Sequence, residues 1–520
     1  MKLYHLRGIR LYVSLIFFLL VSILYLDFYN LVPESFTGYI LYFQFIPSLF
    51  KFIDITTISV AGFIIILLLT FLYGRVYCSS ICPLGTLQDF ILRISKKIAN
   101  KKSYGNLKDY KWIKYLIFGL TIISFFSGSL TLITLLDPFS NFGRIFTNLF
   151  KPLLILLNNF TAFTTEKINL FLLYPIELKN FSIAAIVISG LVFLLIILLS
   201  YNNGRLFCNT ICPLGTFLGL VSKLSLYKIY IDKDKCNSCN LCTKVCKAGC
   251  IDKVNKQVDF ARCVSCFNCF NVCPTDGISF KNSLGSKKIY SKVKFDNRRR
   301  EFISKTFLYL LGISGISLAQ VKIIPKEENK VPVIKKNYSS PPGSRNIEHF
   351  TSTCTGCHLC ISSCPTQVLQ PSLFEYGFLG ILQPYMDYKT GFCNFECKIC
   401  TDICPSGAIL PLILDDKKLT QIGKVKFIKE NCIVEIEKTE CGACSEHCPT
   451  KAVKMIPYNN LHLPEIKEEY CIGCGACEFA CPTKPYKAIY VEGNPIHLTA
   501  KKIPEEKLED NINYKEDFPF

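Results

Sequence analysis

The chain has 520 residues, half of them hydrophobic, with a mean hydropathy of +0.31 and a formal charge of +19. That length excludes a single core, and the apolar runs gather before Tyr201 and around Thr306–Val321, which separates a membrane portion from soluble units. The charge does not call for nucleic acid, because membrane proteins collect Lys and Arg on cytoplasmic loops, and 29 cysteines recurring in C-x-x-C-x-x-C-x-x-x-C blocks read as metal ligands rather than disulfides.

Four apolar runs, Leu11–Val32, Ile55–Tyr73, Tyr115–Leu136 and Phe181–Tyr201, approach the ~20 residues that cross a bilayer as helix. The first follows Lys2, Arg7 and Arg10 without a small-residue cleavage site, which predicts a membrane helix rather than a removed signal peptide. Between the second and third runs Arg75, Arg93, Lys96, Lys97, Lys101, Lys102, Lys108 and Lys111 meet only Asp89 and Asp109, so this loop is expected in the cytoplasm. Phe28–Asp54, whose one basic residue is Lys51, and the weakly charged Pro138–Asn180 are expected outside. Tyr39–Phe50 and Phe146–Leu157 are too short to span and are expected to lie at the outer interface or re-enter. The stretch Gly74-Arg75-Val76-Tyr77-Cys78-Ser79-Ser80-Ile81-Cys82-Pro83-Leu84-Gly85-Thr86 returns as Gly204-Arg205-Leu206-Phe207-Cys208-Asn209-Thr210-Ile211-Cys212-Pro213-Leu214-Gly215-Thr216. Residues 1–225 are therefore expected to form a duplicated two-helix hairpin of four spans, with both cysteine pairs at the cytoplasmic surface.

Cys78/Cys82 and Cys208/Cys212 are spaced four apart, which puts both thiols of a pair on one helix face. Ligands of a further iron–sulfur centre between the hairpins, two redox-active dithiols and packed thiols are all open readings. Arg75 and Arg205 could lower a thiol pKa, touch a quinone head group or simply anchor the topology.

Residues 226–285 carry Cys236, Cys239, Cys242 and Cys246, then Cys263, Cys266, Cys269 and Cys273. In a two-cluster ferredoxin each cubane takes three thiolates from one loop and the fourth from the other motif. This assigns Cys236/Cys239/Cys242/Cys273 to one [4Fe–4S] cluster and Cys263/Cys266/Cys269/Cys246 to the other. A four-thiolate zinc site usually uses two C-x-x-C knuckles instead. Lys247 stands where proline usually follows the fourth cysteine, and Cys250 reads as a packed thiol.

Residues 286–345 hold a basic stretch, the apolar run 306–321 and a Pro/Lys/Ser-rich linker. Arg298-Arg299-Arg300-Glu301-Phe302-Ile303-Ser304-Lys305 resembles a twin-arginine signal. A domain carrying clusters assembled in the cytoplasm crosses only when folded, so this segment predicts a fifth crossing and an outward distal domain. That domain, 346–498, has four blocks: Cys354/Cys357/Cys360/Cys364, Cys393/Cys397/Cys400/Cys404, Cys432/Cys441/Cys444/Cys448 and Cys471/Cys474/Cys477/Cys481, each followed by proline. They raise the expectation to six [4Fe–4S] clusters. Cys354-x-x-Cys357-His358 also matches covalent haem attachment, although Cys360 and Cys364 complete a ferredoxin block on the same residues. Short strands such as Gln257–Phe260 and Lys424–Ile428 complete an α+β ferredoxin-like expectation, and 499–520 is a charged tail. His5, His349, His358, His447, His462 and His497 all lie outside the expected spans, which excludes a membrane haem held by two histidines.

Residues 1–280, with GR-x-x-C-x-x-x-CPLG twice and a two-cluster ferredoxin behind it, resemble the NapH/MauN-type membrane quinol-dehydrogenase subunits; residues 298–490 resemble the NapG/MauM-type four-cluster ferredoxins. This resemblance implies a fused protein of the bacterial inner membrane, with the first ferredoxin cytoplasmic and the second periplasmic. It implies menaquinol as the quinone substrate and a periplasmic cytochrome c or molybdenum reductase as partner. By similarity to four-cluster ferredoxins of the dimethyl-sulfoxide reductase type, the first and fourth distal blocks would share ligands, as would the second and third. The alternatives are an oxidase-assembly factor that reduces metal, like the CcoG/RdxA accessory proteins that share the membrane cysteine motif, and a relay running from a cytoplasmic donor.

Overall fold

Tyr4 to Leu26 form helix α1 in a computed structural model that describes residues 4–55, 61–98, 110–169, 171, 173–178, 182–283 and 330–502. At 1.5 Å per residue its 23 residues reach about 34 Å, enough for a hydrocarbon core. No charge interrupts it between Arg10 and Asp27. Helices α2 (Glu34–Tyr42) and α3 (Phe45–Ile55) meet at 102°, so the stretch expected to re-enter is a bent pair.

Among the described residues two helices are long and apolar enough to span, α1 and α11 (Ile183–Asn203), or three if the bent pair counts as one. The other expected spans are shorter. Helix α4 is described over Gly62–Tyr73 only. Helix α7 (Lys111–Phe126) stops at a turn through Gly128, whose φ of +79° suits glycine, and α8 (Thr131–Leu136) follows. The twin-arginine-like segment, the run 306–321 and most of the charged tail lie outside the described residues.

Asp137 accepts a hydrogen bond from the Ser140 amide at 2.7 Å and, with Pro138 behind it, starts α9 (Pro138–Ile145). A π-helical turn, Phe146–Phe150, joins α9 to α10 (Lys151–Glu166). Each repeated motif builds a short helical turn and then a helix opened by its Cys-Pro: α5 (Val76–Ser80) and α6 (Pro83–Ile98) in the first copy, a π-helical turn Phe207–Ile211 and α12 (Pro213–Ser222) in the second.

The first ferredoxin unit pairs β1 (Tyr227–Ile231) with β4 (Ile278–Asn282) and β2 (Ile251–Asp252) with β3 (Gln257–Val258), all antiparallel. The distal unit pairs β5 (Leu369–Pro371) with β6 (Pro384–Met386), β8 (Val453–Tyr458) with β9 (Leu461–Ile466), and β7 (Thr420–Phe427) with β10 (Ile489–Thr499). Residues 330–345, expected as linker, are instead part of the distal unit. The Asn431 amide donates to Val331 O at 2.8 Å and Lys335 pairs with Glu478 at 2.7 Å.

Candidate metal centres

The two repeated motifs face each other with reciprocal contacts. Arg75 of the first copy donates to Cys208 O at 3.1 Å, and Arg205 of the second donates to Cys78 O. A Cβ on Gly85 would collide with Cys78 O, and one on Gly215 with Cys208 O, so glycine in each CPLG permits the close approach. This quasi-twofold arrangement gathers Cys78, Cys82, Cys208 and Cys212 in one buried cluster, within electrostatic reach of one another. The Cys208 thiol donates to Gln88 Oε1 at 3.2 Å, while Gln88 Nε2 and Arg75 Nε are buried donors without acceptors. Both side chains touch the quartet, Arg75 also through Nη2 at 3.8 Å from Cys78 Sγ, so four buried thiols with two unpartnered donors on neighbouring side chains fit a sulfide-bearing cluster, whose inorganic sulfurs accept such bonds.

The first ferredoxin unit closes against the same region. Asp89 of α6 binds Arg10 at 2.5 Å, Arg205 at 2.9 Å and Lys247 at 2.9 Å, three cations on one buried carboxylate. Lys247 thereby explains its departure from proline: it ties the loop of Cys246 to both membrane motifs. Its carbonyl accepts from the Arg205 amide at 2.9 Å, and Arg75 reaches Ala261 O at 3.1 Å.

Two cavities in this unit match the assigned quartets. One is lined by Cys236, Cys239, Cys242 and Cys273, the other by Cys246, Cys263, Cys266 and Cys269 together with Cys250. Cys250 is therefore more than packing. Its sulfur lies 3.5 Å from Cys246 Sγ and its amide 3.4 Å from the same atom. The bond from the Cys250 thiol, above all, holds the Cys246 thiol below its usual range. In the other five blocks a hydroxyl two residues past the fourth cysteine lies beside its sulfur: Thr275 at 3.7 Å, Thr366 at 3.6 Å, Ser406 at 3.8 Å, Thr450 at 3.7 Å and Thr483 at 3.2 Å. The Cys246 block has Ala248 there, and Cys250 takes over the contact.

Charge coupling in the distal unit groups Cys354, Cys357 and Cys360 with Cys404; Cys393, Cys397 and Cys400 with Cys364; Cys432, Cys441 and Cys444 with Cys481; and Cys471, Cys474 and Cys477 with Cys448. Each quartet of thiols is thus drawn from adjacent blocks, the first with the second and the third with the fourth. This corrects the pairing implied by the four-cluster resemblance. The hairpins are the reason: β5–β6 folds block two back onto block one, and β8–β9 folds block four onto block three, as β2–β3 does in the first unit. Successive quartets touch, with the Cys393 amide donating to Cys474 O at 2.9 Å. Burial pushes the Cys357, Cys444 and Cys474 thiols up to about 12, so without a cation these sulfurs stay protonated at neutral pH.

The two ferredoxin units hold opposite ends of α1. Fifteen residues, about 22 Å of helix, separate Arg10, on Asp89 at one end, from Tyr25, whose carbonyl accepts from Ser362 Oγ at 2.6 Å at the other. His358, buried at this second contact, has Nε2 2.9 Å from Leu382 O and Nδ1 3.3 Å from Asn148 Nδ2. Both ring nitrogens are engaged, so the haem reading of Cys354-x-x-Cys357-His358 finds no axial ligand. Tyr77 lies within electrostatic reach of Cys82 and Asp137, and Tyr25 within reach of Asp137 and Cys357. A single hydrophobic core runs from Cys263 and Cys269 past all four motif cysteines and Phe142 to Cys357. Tyr25 and Asp137 were not singled out by sequence, and Tyr77 and Asp89 only as a motif position and one of two acids in a basic loop; the departure at Lys247 was the signal pointing to the docking of the first unit.

A family model described as a 4Fe-4S binding domain matches residues 55–102 and again 184–231, one match for each motif copy. Two models of 4Fe-4S dicluster domains match 353–409 and 439–485, the same pairs of blocks whose thiols lie together. The chain is therefore a ferredoxin-type iron–sulfur electron-transfer protein. An uncharacterized protein of Methanocaldococcus jannaschii is 21% identical over 222 residues, 42% of this chain and 68% of its own. The ferredoxin-type protein NapF of Escherichia coli is 27% identical over 134 residues, 26% of this chain and 73% of NapF. The methylamine utilization ferredoxin-type protein MauM of Methylobacillus flagellatus is 29% identical over 145 residues, 26% of this chain and 59% of MauM. No solved structure matches.

Proposed function

We propose that this chain is a membrane electron relay that oxidises a quinol, with menaquinol the expected form, and delivers electrons to a soluble redox partner on the far side of a bacterial inner membrane. The carrying observation is the continuous core that joins the motif cysteines to a ferredoxin unit at each end of α1. [4Fe–4S] clusters bound at the six block quartets, and a seventh at Cys78/Cys82/Cys208/Cys212, would supply one-electron steps at separately tuned potentials. The protein's own residues fix the geometry around them: Arg75 and Arg205 lock the two hairpins together, Lys247 and Asp89 seat the first unit, and Ser362 and Lys151 seat the distal one.

In this reading α1, α11 and the shorter α4 and α7 belong to four crossings, and the twin-arginine-like segment takes the distal unit to the periplasm. A cytochrome c or molybdenum reductase is the expected acceptor there. A second reading is favoured by the exposed Cys239, which opens the first quartet to solvent and suits a cytoplasmic donor feeding the relay. Purified protein mixed anaerobically with a menaquinol analogue, or with reduced ferredoxin, decides between them. Bleaching of the iron–sulfur absorbance by quinol supports the first reading and bleaching by ferredoxin alone the second, while no bleaching by either sinks the relay.

A further inference from the structure

The hairpin β5–β6 of the distal unit is tipped by a loop, 372–383, whose polar groups are used inward. Glu375 Oε2 accepts from the Leu373 and Phe374 amides at 2.6 and 3.0 Å, and the Ser372 hydroxyl donates to Gly380 O. Tyr376 donates to Ser339 O at 3.2 Å, with its ring edge-on to Phe350. Gln383 Nε2 donates to Cys354 O at 3.0 Å, which ties the loop to the first cysteine block. The large apolar side chains are left outside: Phe374, Phe378 and Leu379 are 56%, 69% and 54% exposed. Single exposed hydrophobics are ordinary, but three within six residues on a loop fixed by its own hydrogen bonds make a patch that marks a contact.

The position of the patch says what it meets. The turn Phe378–Gly380 packs against α8, which follows directly on the outward end of α7. That end carries Phe126, 82% exposed, and Tyr174 and Ile183 are exposed in the outward segments before and at the start of α11. Aromatic and apolar side chains left outside at helix ends are what the interface of a bilayer accommodates, and through α8 the patch of the distal unit adjoins this rim. Charge favours lipid over a soluble redox protein. Glu375 is the one charged residue between β5 and β6, and its carboxylate is engaged by its own loop amides, so the patch has no charge to steer a protein partner.

We infer that loop 372–383 rests in the outer interface of the bilayer, with Phe374, Phe378 and Leu379 among the lipid head groups and upper acyl chains. The inference rests on the proposed crossing of the membrane by α7. It gives the distal unit an interfacial attachment of its own, besides the clamp at Ser362 and Lys151.

The test is tryptophan fluorescence of the full chain in phosphatidylcholine nanodiscs, plain or brominated in the upper acyl chains. Trp112, exposed at the inward end of α7, is the one tryptophan of the chain and reports the crossing in the wild type. In a Trp112→Phe background, Phe374→Trp and Phe378→Trp place the probe in the patch, and Ile456→Trp places it on the β8–β9 hairpin of the same unit; unchanged iron content shows that each variant is folded. Brominated lipid is expected to quench both patch variants, and acrylamide to quench them about threefold less than Ile456→Trp. Patch emission untouched by bromine and as open to acrylamide as Ile456→Trp overturns the inference. If Trp112 is still quenched by bromine in the wild type, the crossing survives that failure; if it is not, the crossing falls with it. Acrylamide access that closes only when cytochrome c is added would also overturn the inference, by giving the patch to a soluble partner.

Discussion

Cys250 donates to the sulfur of Cys246, replacing the hydroxyl that serves the fourth cysteine in each of the other blocks. Hydrogen bonds to cluster sulfurs raise the reduction potential. Cys250→Ala should therefore lower the potential of that centre by about 40 mV, the equivalent of ~1 kcal/mol for one electron, while Cys250→Thr should restore most of it; redox titration followed by EPR reads both. His497 tests the distal unit separately. Burial lowers its pKa to about 4, with Nε2 2.9 Å from Ser340 Oγ and Nδ1 without a partner. The unfolded chain takes up this proton near pH 6.5 and the folded chain only near 4, so stability should fall as pH drops through that window. The loss is at most about 3 kcal/mol, at ~1.4 kcal/mol per pH unit, and His497→Gln should flatten it in thermal melts. Cysteine spacing made legible the quartets that the fold gathers, and the lysine in place of proline flagged Lys247. The role of Cys250 was hidden because it depends on which atom its thiol reaches.

At the scale of elements, the sequence repeat is seen as two motif copies that face each other, and the Arg75–Cys208 and Arg205–Cys78 contacts give the pair its quasi-twofold form. Gly85 and Gly215 are the pivots, because a Cβ at either would strike the opposing cysteine's chain in its own copy and crowd the incoming arginine. Gly85→Val and Gly215→Val should each destabilise the membrane unit, by roughly 2–4 kcal/mol as overpacking of a tight backbone contact, and to a similar extent because the copies are equivalent. Midpoints of detergent-solubilised protein in a thermal ramp measure this; a large asymmetry would contradict the twofold arrangement. Hydropathy located the apolar runs but not their breaks: the turn at Gly128 and the 102° bend between α2 and α3 come from local backbone choices that a window average smooths away. The pairing of distal blocks was misjudged for a related reason, since it is set by the β5–β6 and β8–β9 hairpins, whose strands are too short to announce themselves.

Across the whole molecule, the two ferredoxin units are not independent modules on a tether. The first is clamped by Asp89 and its three cations, the second by Ser362, Lys151 and His358, and α1 runs between the two clamps. In the proposed relay, electron transfer between the ends depends on the four motif cysteines being a redox centre and not packed thiols. Iron and acid-labile sulfide counted per chain, in wild type and in a variant with Cys78, Cys82, Cys208 and Cys212 all changed to alanine, test this most directly. Seven clusters predict about 28 irons in the wild type and about 24 in the variant, with the ferredoxin-block EPR signals retained; equal iron in the two proteins would contradict the account.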